Sequence, residues 1–298
     1  MEGVGNNLIP KMDTTGARSI EGKTCVITGA SSGIGKVSAE QLASMGARVV
    51  MVCRIQGRGE RAKAEVEAKS GSKSVELMLA NLASLDSVRA FARRYEGSHG
   101  SLNVLLNNAG VARLRRSLTV DGFEATLQVN YLSAFLLTNL LLPLLKRSAP
   151  SRVVNVSSVA HYGGHINLGD LQLEKGYGVM RAYSQSKLAM VLFTHELAAR
   201  LEGTGVTANC LHPGAVATNI WGSGLGPVSI LGKVARLFLS SPKKGAKTQV
   251  YLASSPEVEV VTGEYFEPDG KKRSSTESYD QALAKKLWDA SAAMVGFS

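Results

Sequence analysis

A tyrosine and a lysine stand four residues apart in residues 182–201, a segment with the pattern of a helix. Tyr183 and Lys187 are therefore expected on one face, one turn apart. A phenol with a pKa near ~10 is a weak acid–base group at neutral pH, but a neighbouring ammonium lowers that pKa. The pair could thus move a proton at a substrate oxygen. The same spacing also occurs on many surface helices.

Two further segments place polar groups at the ends of predicted strands. Residues 153–156 form a buried-strand pattern that is followed by Ser157 and Ser158, and residues 107–110 follow another short apolar run. In open α/β sheets, ligands bind beyond the carboxyl ends of the strands. Ser158 and the 107–110 segment are therefore expected at one ligand-binding edge.

A glycine-rich turn in residues 28–35 joins the first predicted strand to the first predicted helix. Gly29 can make the tight turn, Gly33 lets the backbone approach a pyrophosphate, and Gly35 lets the helix pack closely on the strand. The helix N-terminus supplies free N–H groups to the anion. The spacing is Gly-xxx-Gly-x-Gly, and a plain turn also fits it.

The same residues match the Gly-x-Ser-x-Gly elbow of α/β-hydrolases, in which Ser31 would be a nucleophile. That elbow needs an earlier strand and loop to supply half of the oxyanion hole. Only residues 1–18, which we expect to form a flexible tail, precede the first predicted strand. Dinucleotide binding is therefore the stronger interpretation.

Arg54 follows the second predicted strand, where an NAD enzyme places an acid on the ribose 2′-hydroxyl. Residues 51–59 contain no Asp or Glu. A guanidinium pairs with a 2′-phosphate, and Lys36 and Arg58 could assist it. NADP is therefore the expected cofactor, although Arg54 and Arg58 could equally be solvated loop cations.

Short β-branched runs alternate with amphipathic stretches, as a parallel sheet covered by helices requires. Strands are predicted at 24–28, 48–53, 75–79, 104–106, 153–156 and 206–210, with a short one near Tyr265. Helices are predicted at 34–45, 58–69, 84–95, 122–146 and 182–201. The fold class is α/β: one doubly wound Rossmann domain over 19–298, with a seven-stranded, mainly parallel sheet and helices on both faces.

Composition excludes several other functions. The net charge is +10, but the basic residues are scattered and not interleaved with aromatic residues, so we expect no nucleic-acid partner. The three cysteines lie in separate apolar strands and are expected to be inert core thiols. No metal-ligand spacing is present, and no metal site is expected.

Membrane segments are not expected either. The most apolar run, 134–145, is interrupted by polar residues and Pro143 and is shorter than the ~20 residues of a membrane span, so it suits a buried helix. Residues 1–18 lack the apolar run of a signal peptide. We therefore expect a cytoplasmic protein.

Taken together, the motifs resemble the short-chain dehydrogenase/reductase family from about residue 21 to the end. They are residues 28–35, 107–110, Asn130, Ser158, Tyr183 with Lys187, and His212-Pro213-Gly214 followed by Thr218. Within that family, residues 155–161 and 186–189 look like the retinol-dehydrogenase-like branch.

The resemblance implies a role for each matching residue. Ser158 would bind the substrate oxygen, Tyr183 would transfer the proton, Lys187 would hold the nicotinamide ribose, and Asn130 would anchor a water relay. Asn130 and His212, taken singly, could instead satisfy local backbone groups. The implied cofactor-binding residues are Gly29, Ser31, Ser32, Gly33, Ile34, Arg54, Asn81, Leu82, Asn108, Ala109, Gly110, Tyr183, Lys187, Pro213, Gly214 and Thr218. Relatives commonly have Asp at the position of Asn81, and we expect at most a modest loss there.

Residues 219–242 correspond to the segment that covers the substrate in this family, and their apolar side chains favour an apolar aldehyde, ketone or alcohol. A surface helix, or one in weak contact with a membrane surface, fits the same pattern. By analogy with relatives, a homo-oligomer could form through 122–146 and 182–201. The expected function is NADP-dependent hydride transfer. The alternative is a catalytically silent, dinucleotide-binding regulatory protein.

Overall fold

The β-branched segments form one sheet in the computed structural model, which describes residues 20–214 and 241–297. Its strands are β1 (Thr24–Thr28), β2 (Arg48–Cys53), β3 (Val75–Leu79), β4 (Val104–Asn107), β5 (Ser151–Val156), β6 (Val206–Leu211), β7 (Tyr265–Glu267) and β8 (Gly270–Lys272). The seven expected strands are all present. The eighth, β8, is polar and three residues long, so it has no apolar alternation by which to recognise it.

The sheet order is β3-β2-β1-β4-β5-β6-β7-β8, and every neighbouring pair is parallel except β7 and β8. Strand β1 pairs with both β2 and β4, so the chain reverses its direction of winding there. A crevice opens at such a point, beyond the carboxyl ends of the strands. The doubly wound α/β fold is therefore confirmed.

Seven α-helices lie in the described part of the chain. They are α1 (Gly33–Ser44), α2 (Gln56–Ser70), α3 (Leu85–Ser98), α4 (Ala125–Arg147), α5 (Val179–Arg200), α6 (Pro242–Ser254) and α7 (Gln281–Val295). Ser84 caps α3 as expected, because its side chain accepts a hydrogen bond from the Ser87 N–H at 3.3 Å.

Two apolar cores cover the two faces of the sheet. Along β1, Cys25 and Ile27 belong to the core beneath α1, α2 and α6, whereas Val26 belongs to the core beneath α3, α4, α5 and α7. This alternation follows from the two-residue period of a strand. Cys25, Cys53 and Cys210 are all buried and free, as expected.

Helix α4 is long and apolar enough to span a membrane by length and composition, but 78% of its apolar window is buried in the protein. Its backbone is interrupted by a π-helical turn at Gln128–Leu132. The expected buried helix at 134–145 forms its last part.

Helices α6 and α7 lie beyond the last helix expected from the sequence. Both carry recognisable signals: Pro242 opens α6, the Asp280 side chain caps α7 at 2.9 Å, and Gly296 ends α7 with a φ of 59°. The expected tail lies outside the described residues, and so does nearly all of the expected lid at 219–242.

Candidate active site

The glycine turn after β1 brings backbone close to a second loop. Gly29 has a φ of +69°, and a Cβ there would come within 2.9 Å of the Ala109 Cα. A Cβ on Gly35 would come within 2.8 Å of the Gly29 carbonyl oxygen. Gly35 is thus needed for packing of α1 against the turn itself and not only against the strand. The Ser32 side chain does not cap α1, so the helix N-terminus faces the crevice without a side-chain acceptor.

A chain of three hydrogen-bonded side chains, of which Ser38 and Gln249 are buried, supports this turn from behind. Asn108 donates from Nδ2 to the Thr28 carbonyl at 2.8 Å, and its Oδ1 accepts from Gln249 Nε2 at 3.0 Å. Gln249 in turn accepts from the Ser38 hydroxyl at 2.7 Å. Sequence reasoning found Asn108 but missed Gln249 and Ser38, because they lie on helices whose distance in sequence gives no sign of the contact.

One cavity of about 580 Å³ runs along the carboxyl edge of β1, β4 and β5. All of the expected cofactor-binding residues within the described ranges line it, from Gly29 at one end to Gly214 at the other. Thr218 lies outside those ranges. None of the described lining residues is Asp or Glu, whereas Arg54, Arg113 and Lys187 bring positive charge. The cavity therefore suits an elongated anion, and its glycine cradle fits a dinucleotide diphosphate.

Lys36 and Arg58, which were expected to assist Arg54, are not available to the cavity as Arg54 is. Arg54 is exposed and lines the cavity, but Lys36 forms an ion pair with Glu65 at 2.5 Å. Arg58 is exposed and is not among the described lining residues. Arg54 is thus the side chain available for a charged group at this end of the cavity.

The expected catalytic residues meet near the middle of the cavity. Tyr183 and Lys187 lie one turn apart on α5, with the Lys187 ammonium 5.6 Å from the centre of the Tyr183 ring. The Tyr183 phenol lies close enough to the Ser158 side chain, just beyond β5, for Ser158 to act on its pKa. The Lys187 Nζ donates to the Val156 carbonyl at 2.8 Å. Strand β5 and helix α5 therefore bring together Ser158, Tyr183 and Lys187, of which the first and last lie 187 − 158 = 29 residues apart in sequence.

Burial shifts both titrating groups toward their neutral forms. It raises the pKa of Tyr183, and the hydrogen bond from Ser158 only partly opposes this. Burial also lowers the pKa of Lys187 to about 8. The expectation that the neighbouring ammonium depresses the Tyr183 pKa does not hold in this site, because desolvation of the phenolate has the larger effect.

Asn130, which lies in the π-helical turn, uses its whole amide for protein contacts. Its Oδ1 accepts from the Val111 N–H at 2.7 Å, and its Nδ2 donates to the Val111 carbonyl and to the Ser186 hydroxyl, both at 2.9 Å. The side chain therefore fastens the loop after β4 to helix α5. These contacts satisfy local backbone groups, the second of the two expectations for Asn130, and its part in a water relay stays a prediction.

His212, Pro213 and Gly214 follow β6 and line the other wall of the cavity. Burial lowers the pKa of His212 to about 4, and the neighbouring Lys187 and His161 add to the shift. The His212 Nδ1 atom is buried and has no hydrogen-bond partner among the described residues. His212 is thus a neutral ring packed against the site.

Sequence comparison assigns this architecture to a family. A sequence model of the short chain dehydrogenase family matches residues 23–224, which is more than half of the chain.

The chain belongs to the short-chain dehydrogenase family.

This short-chain dehydrogenase is similar to retinol dehydrogenase 14 of Homo sapiens, with 45% identity over 293 residues that cover 93% of this chain and 87% of the relative. It is 44% identical to retinol dehydrogenase 13 of Mus musculus, with 94% and 86% covered. A crystal structure of an uncharacterized protein from Mycobacterium Paratuberculosis shares the fold, with a TM-score of 0.76, 35% identity, and 94% and 97% coverage.

The RhlG/NADP active-site complex of Pseudomonas aeruginosa also matches, with a TM-score of 0.68, 28% identity, and 85% and 96% coverage. This short-chain dehydrogenase is therefore a dinucleotide-dependent oxidoreductase. No observation supports the regulatory alternative.

Proposed function

We propose that this chain transfers a hydride between NADP(H) and the carbonyl or alcohol carbon of a lipophilic aldehyde, ketone or alcohol, with retinoids as the first substrates to test. The observation that carries the proposal is that Ser158, Tyr183 and the buried ammonium of Lys187 meet in the lining of one cavity. That cavity has room for a dinucleotide.

Each polar group has a distinct task in this proposal. The Ser158 hydroxyl and the Tyr183 phenol hold the substrate oxygen between them, and Tyr183 gives or takes the proton there. Lys187 contributes positive charge and is held in place by the Val156 carbonyl. Asn130 fixes the loop after β4, opposite the Lys187 ammonium. The bound dinucleotide supplies or accepts the hydride.

NADP is proposed over NAD because of charge. Arg54 is exposed at the end of β2, and the described residues that line the cavity include no carboxylate to repel a 2′-phosphate. The side chain at position 81 is an amide, which also adds no negative charge.

A lipophilic substrate is proposed from the lining beside Ser158 and Tyr183. Val159 and Met180, which are each 50% exposed, line the cavity there together with Val111. Apolar walls around a few polar groups are typical of sites for apolar small molecules. The similar proteins from human and mouse carry the name retinol dehydrogenase.

The function is tested by following nicotinamide absorbance with purified protein, NADPH or NADH, and a panel of retinal, long-chain and short-chain aldehydes, and sugars. The expected result is turnover with NADPH that rises with the apolar surface of the aldehyde. A preference for sugars would overturn the substrate class. Dinucleotide binding without turnover on any carbonyl or alcohol would favour the regulatory alternative.

A further inference from the structure

The loop that carries Ser158 is held by a segment more than a hundred residues further along the chain. Residues 273–279, here called the C-terminal strap, contact it at three points. Tyr162 donates to the Arg273 carbonyl at 2.7 Å, the Ile166 N–H donates to Glu277 Oε1 at 2.8 Å, and the Ser275 N–H donates to His161 Nε2 at 3.1 Å. The third contact lies nearest to Ser158.

The Ser275 contact fixes the tautomer of His161. A backbone N–H can only donate, so Nε2 must be the unprotonated acceptor and Nδ1 must carry the ring proton. His161 Nδ1 lies 2.7 Å from the Ser158 carbonyl oxygen and therefore donates to it. One imidazole thus links the strap to the backbone of Ser158.

The surroundings of His161 favour this neutral form. The side chain is fully buried, and its ring packs against Tyr162 and Tyr265 at centroid distances of 4.1 Å and 4.7 Å. Burial lowers the pKa of His161, although the hydrogen bond to the Ser158 carbonyl partly opposes this. His161 is not among the described residues that line the cavity, so it does not exchange protons with a substrate directly.

The Ser158 side chain depends on the backbone that His161 holds. Its hydroxyl oxygen accepts from the Ala160 N–H at 3.2 Å, and the hydroxyl lies close enough to Tyr183 to act on the pKa of the phenol. A catalytic hydroxyl works only when it is held within a few tenths of an ångström of its productive position. A shift in the peptide after Ser158 would move the hydroxyl and its Ala160 donor together.

We propose that His161 is a positioning residue that sets the Ser158 hydroxyl against Tyr183 by joining the Ser158 carbonyl to the C-terminal strap. This rests on the proposed function in so far as Ser158 binds the substrate oxygen. The strap thereby acts on the position of Ser158 from outside the site, since none of its residues is among the described residues that line the cavity.

The first test removes a single N–H group from the strap. Ser275 has a φ of −59°, close to the value that proline imposes, so Ser275→Pro deletes the donor to His161 with little change in backbone angle. Ser275→Ala is the matched control, because the Ser275 hydroxyl is buried without a partner among the described residues. We expect Ser275→Pro to lower kcat by about 3- to 10-fold and Ser275→Ala to leave it unchanged, with the same dinucleotide Kd in both.

The second test asks whether His161 acts through Ser158. His161→Phe keeps an aromatic ring and removes both nitrogens, and we expect kcat to fall by about tenfold or more. His161→Asn, whose amide can still donate to the Ser158 carbonyl, should recover much of that loss. In a Ser158→Ala background, which has no hydroxyl to position, His161→Phe should cause almost no further loss.

Additive losses in the double variant, or wild-type kcat for both Ser275→Pro and His161→Phe, would overturn the proposal. If circular dichroism shows that His161→Phe does not fold, the comparison of Ser275→Pro with Ser275→Ala tests the proposal on its own. A Ser158→Ala variant with full activity would instead refute the proposed role of Ser158, so the two failures are distinguishable.

Discussion

Tyr183 and Lys187 lie where burial disfavours charge on either side chain. A neutral phenol is the form that can donate a proton to a carbonyl oxygen as it is reduced. The Val156 carbonyl gives the Lys187 ammonium a partner inside the protein, which keeps the group beside the phenol while it is charged. The resting site is therefore arranged for proton donation.

Replacing Tyr183 by Phe should remove the proton donor and leave the shape of the cavity. We expect kcat to fall by ~10²- to 10⁴-fold while the dinucleotide Kd stays within about twofold of wild type. Steady-state kinetics and fluorescence titration measure the two quantities. Tyr251→Phe is the control, since that hydroxyl contacts Glu257. Equal activity in the two variants would remove Tyr183 from its proposed role.

Charge at position 54 should select the cofactor. Arg54→Asp replaces the proposed partner of a 2′-phosphate by a group that repels it, so the ratio of kcat/KM for NADPH to that for NADH should fall by at least tenfold. Arg58→Asp makes the same charge change at an exposed side chain that is not among the described lining residues and should alter the ratio far less. Similar changes of this ratio in both variants would show that general surface charge, and not the side chain at position 54, sets the cofactor preference.

Lys187 should make stability depend on alkaline pH. Its folded pKa of about 8 lies below the unfolded value, so between these two pH values the unfolded chain binds more protons. Stability should therefore rise with pH from about 8 toward ~10, by up to ~3 kcal/mol. Urea unfolding at pH 7.5 and 9.5 measures the rise. The Lys187→Met variant should not show this rise in stability. An equal rise in that variant would show that other titrating groups cause it.

Residue types and spacing were enough to single out the glycine turn, Ser158, Tyr183 and Lys187, whereas much of the lining of the cavity was predicted from the resemblance to a known family. They gave the wrong direction for the Tyr183 pKa, because sequence shows which charges are near but not how deeply a group is buried. They also missed His161 as a contact of Ser158, since its second partner, Ser275, lies 114 residues away.

Helices α1 and α6 pack against each other behind the glycine turn, and the Gln249 side chain makes a polar link between them. It is completely buried and links Ser38 on α1 to Asn108 at the end of β4. Unpaired polar groups in such a position are costly, so these helices and the loop should behave as a unit.

Gln249→Met should destabilise the protein by about 1–3 kcal/mol, because it leaves the Asn108 oxygen and the Ser38 hydroxyl without their partner. Dinucleotide affinity should fall as well, since Asn108 supports the turn at Gly29. Urea unfolding and cofactor titration measure the two effects. The neighbouring Thr248→Val removes a buried hydroxyl that has no partner among the described residues and should not destabilise.

Strands with strong β-branched patterns were predicted to within a few residues, and β1, β2 and β3 to the residue. Helices α6 and α7 were not predicted, although Pro242, Asp280 and Gly296 mark their ends. The π-helical turn in α4 could not be read from the pattern, because Asn130 is placed by contacts with Val111 and Ser186.

At the scale of the whole molecule, α7 covers the helices that a partner subunit would need in the expected mode of pairing. Its Trp288 packs edge-on against Phe135 of α4 at 4.9 Å and lies 5.6 Å from Phe193 of α5, and the Arg200 guanidinium lies 4.2 Å from the indole. Pairing through α4 and α5 would require α7 to move.

We therefore expect no dimer that forms through α4 and α5, and sedimentation should give the mass of one chain. Trp288→Ala should destabilise the protein by ~3–5 kcal/mol, because it empties a site among Phe135 and Phe193. Trp288→Phe, which keeps an aromatic ring, should destabilise the protein less than Trp288→Ala. A dimer with α7 still in place would show that another surface pairs, whereas stability unchanged by Trp288→Ala would show that α7 is not needed.

The position of α7 at the end of the described chain also affects how the enzyme is made. Every motif from Gly29 to Gly214 has left the ribosome before Gln281–Val295 is synthesised, yet the helix that carries Tyr183 and Lys187 shares its apolar core with this later segment. A message truncated after Ser274 would thus encode all the motifs of a dehydrogenase, but its product would expose an apolar surface for chaperones and proteases.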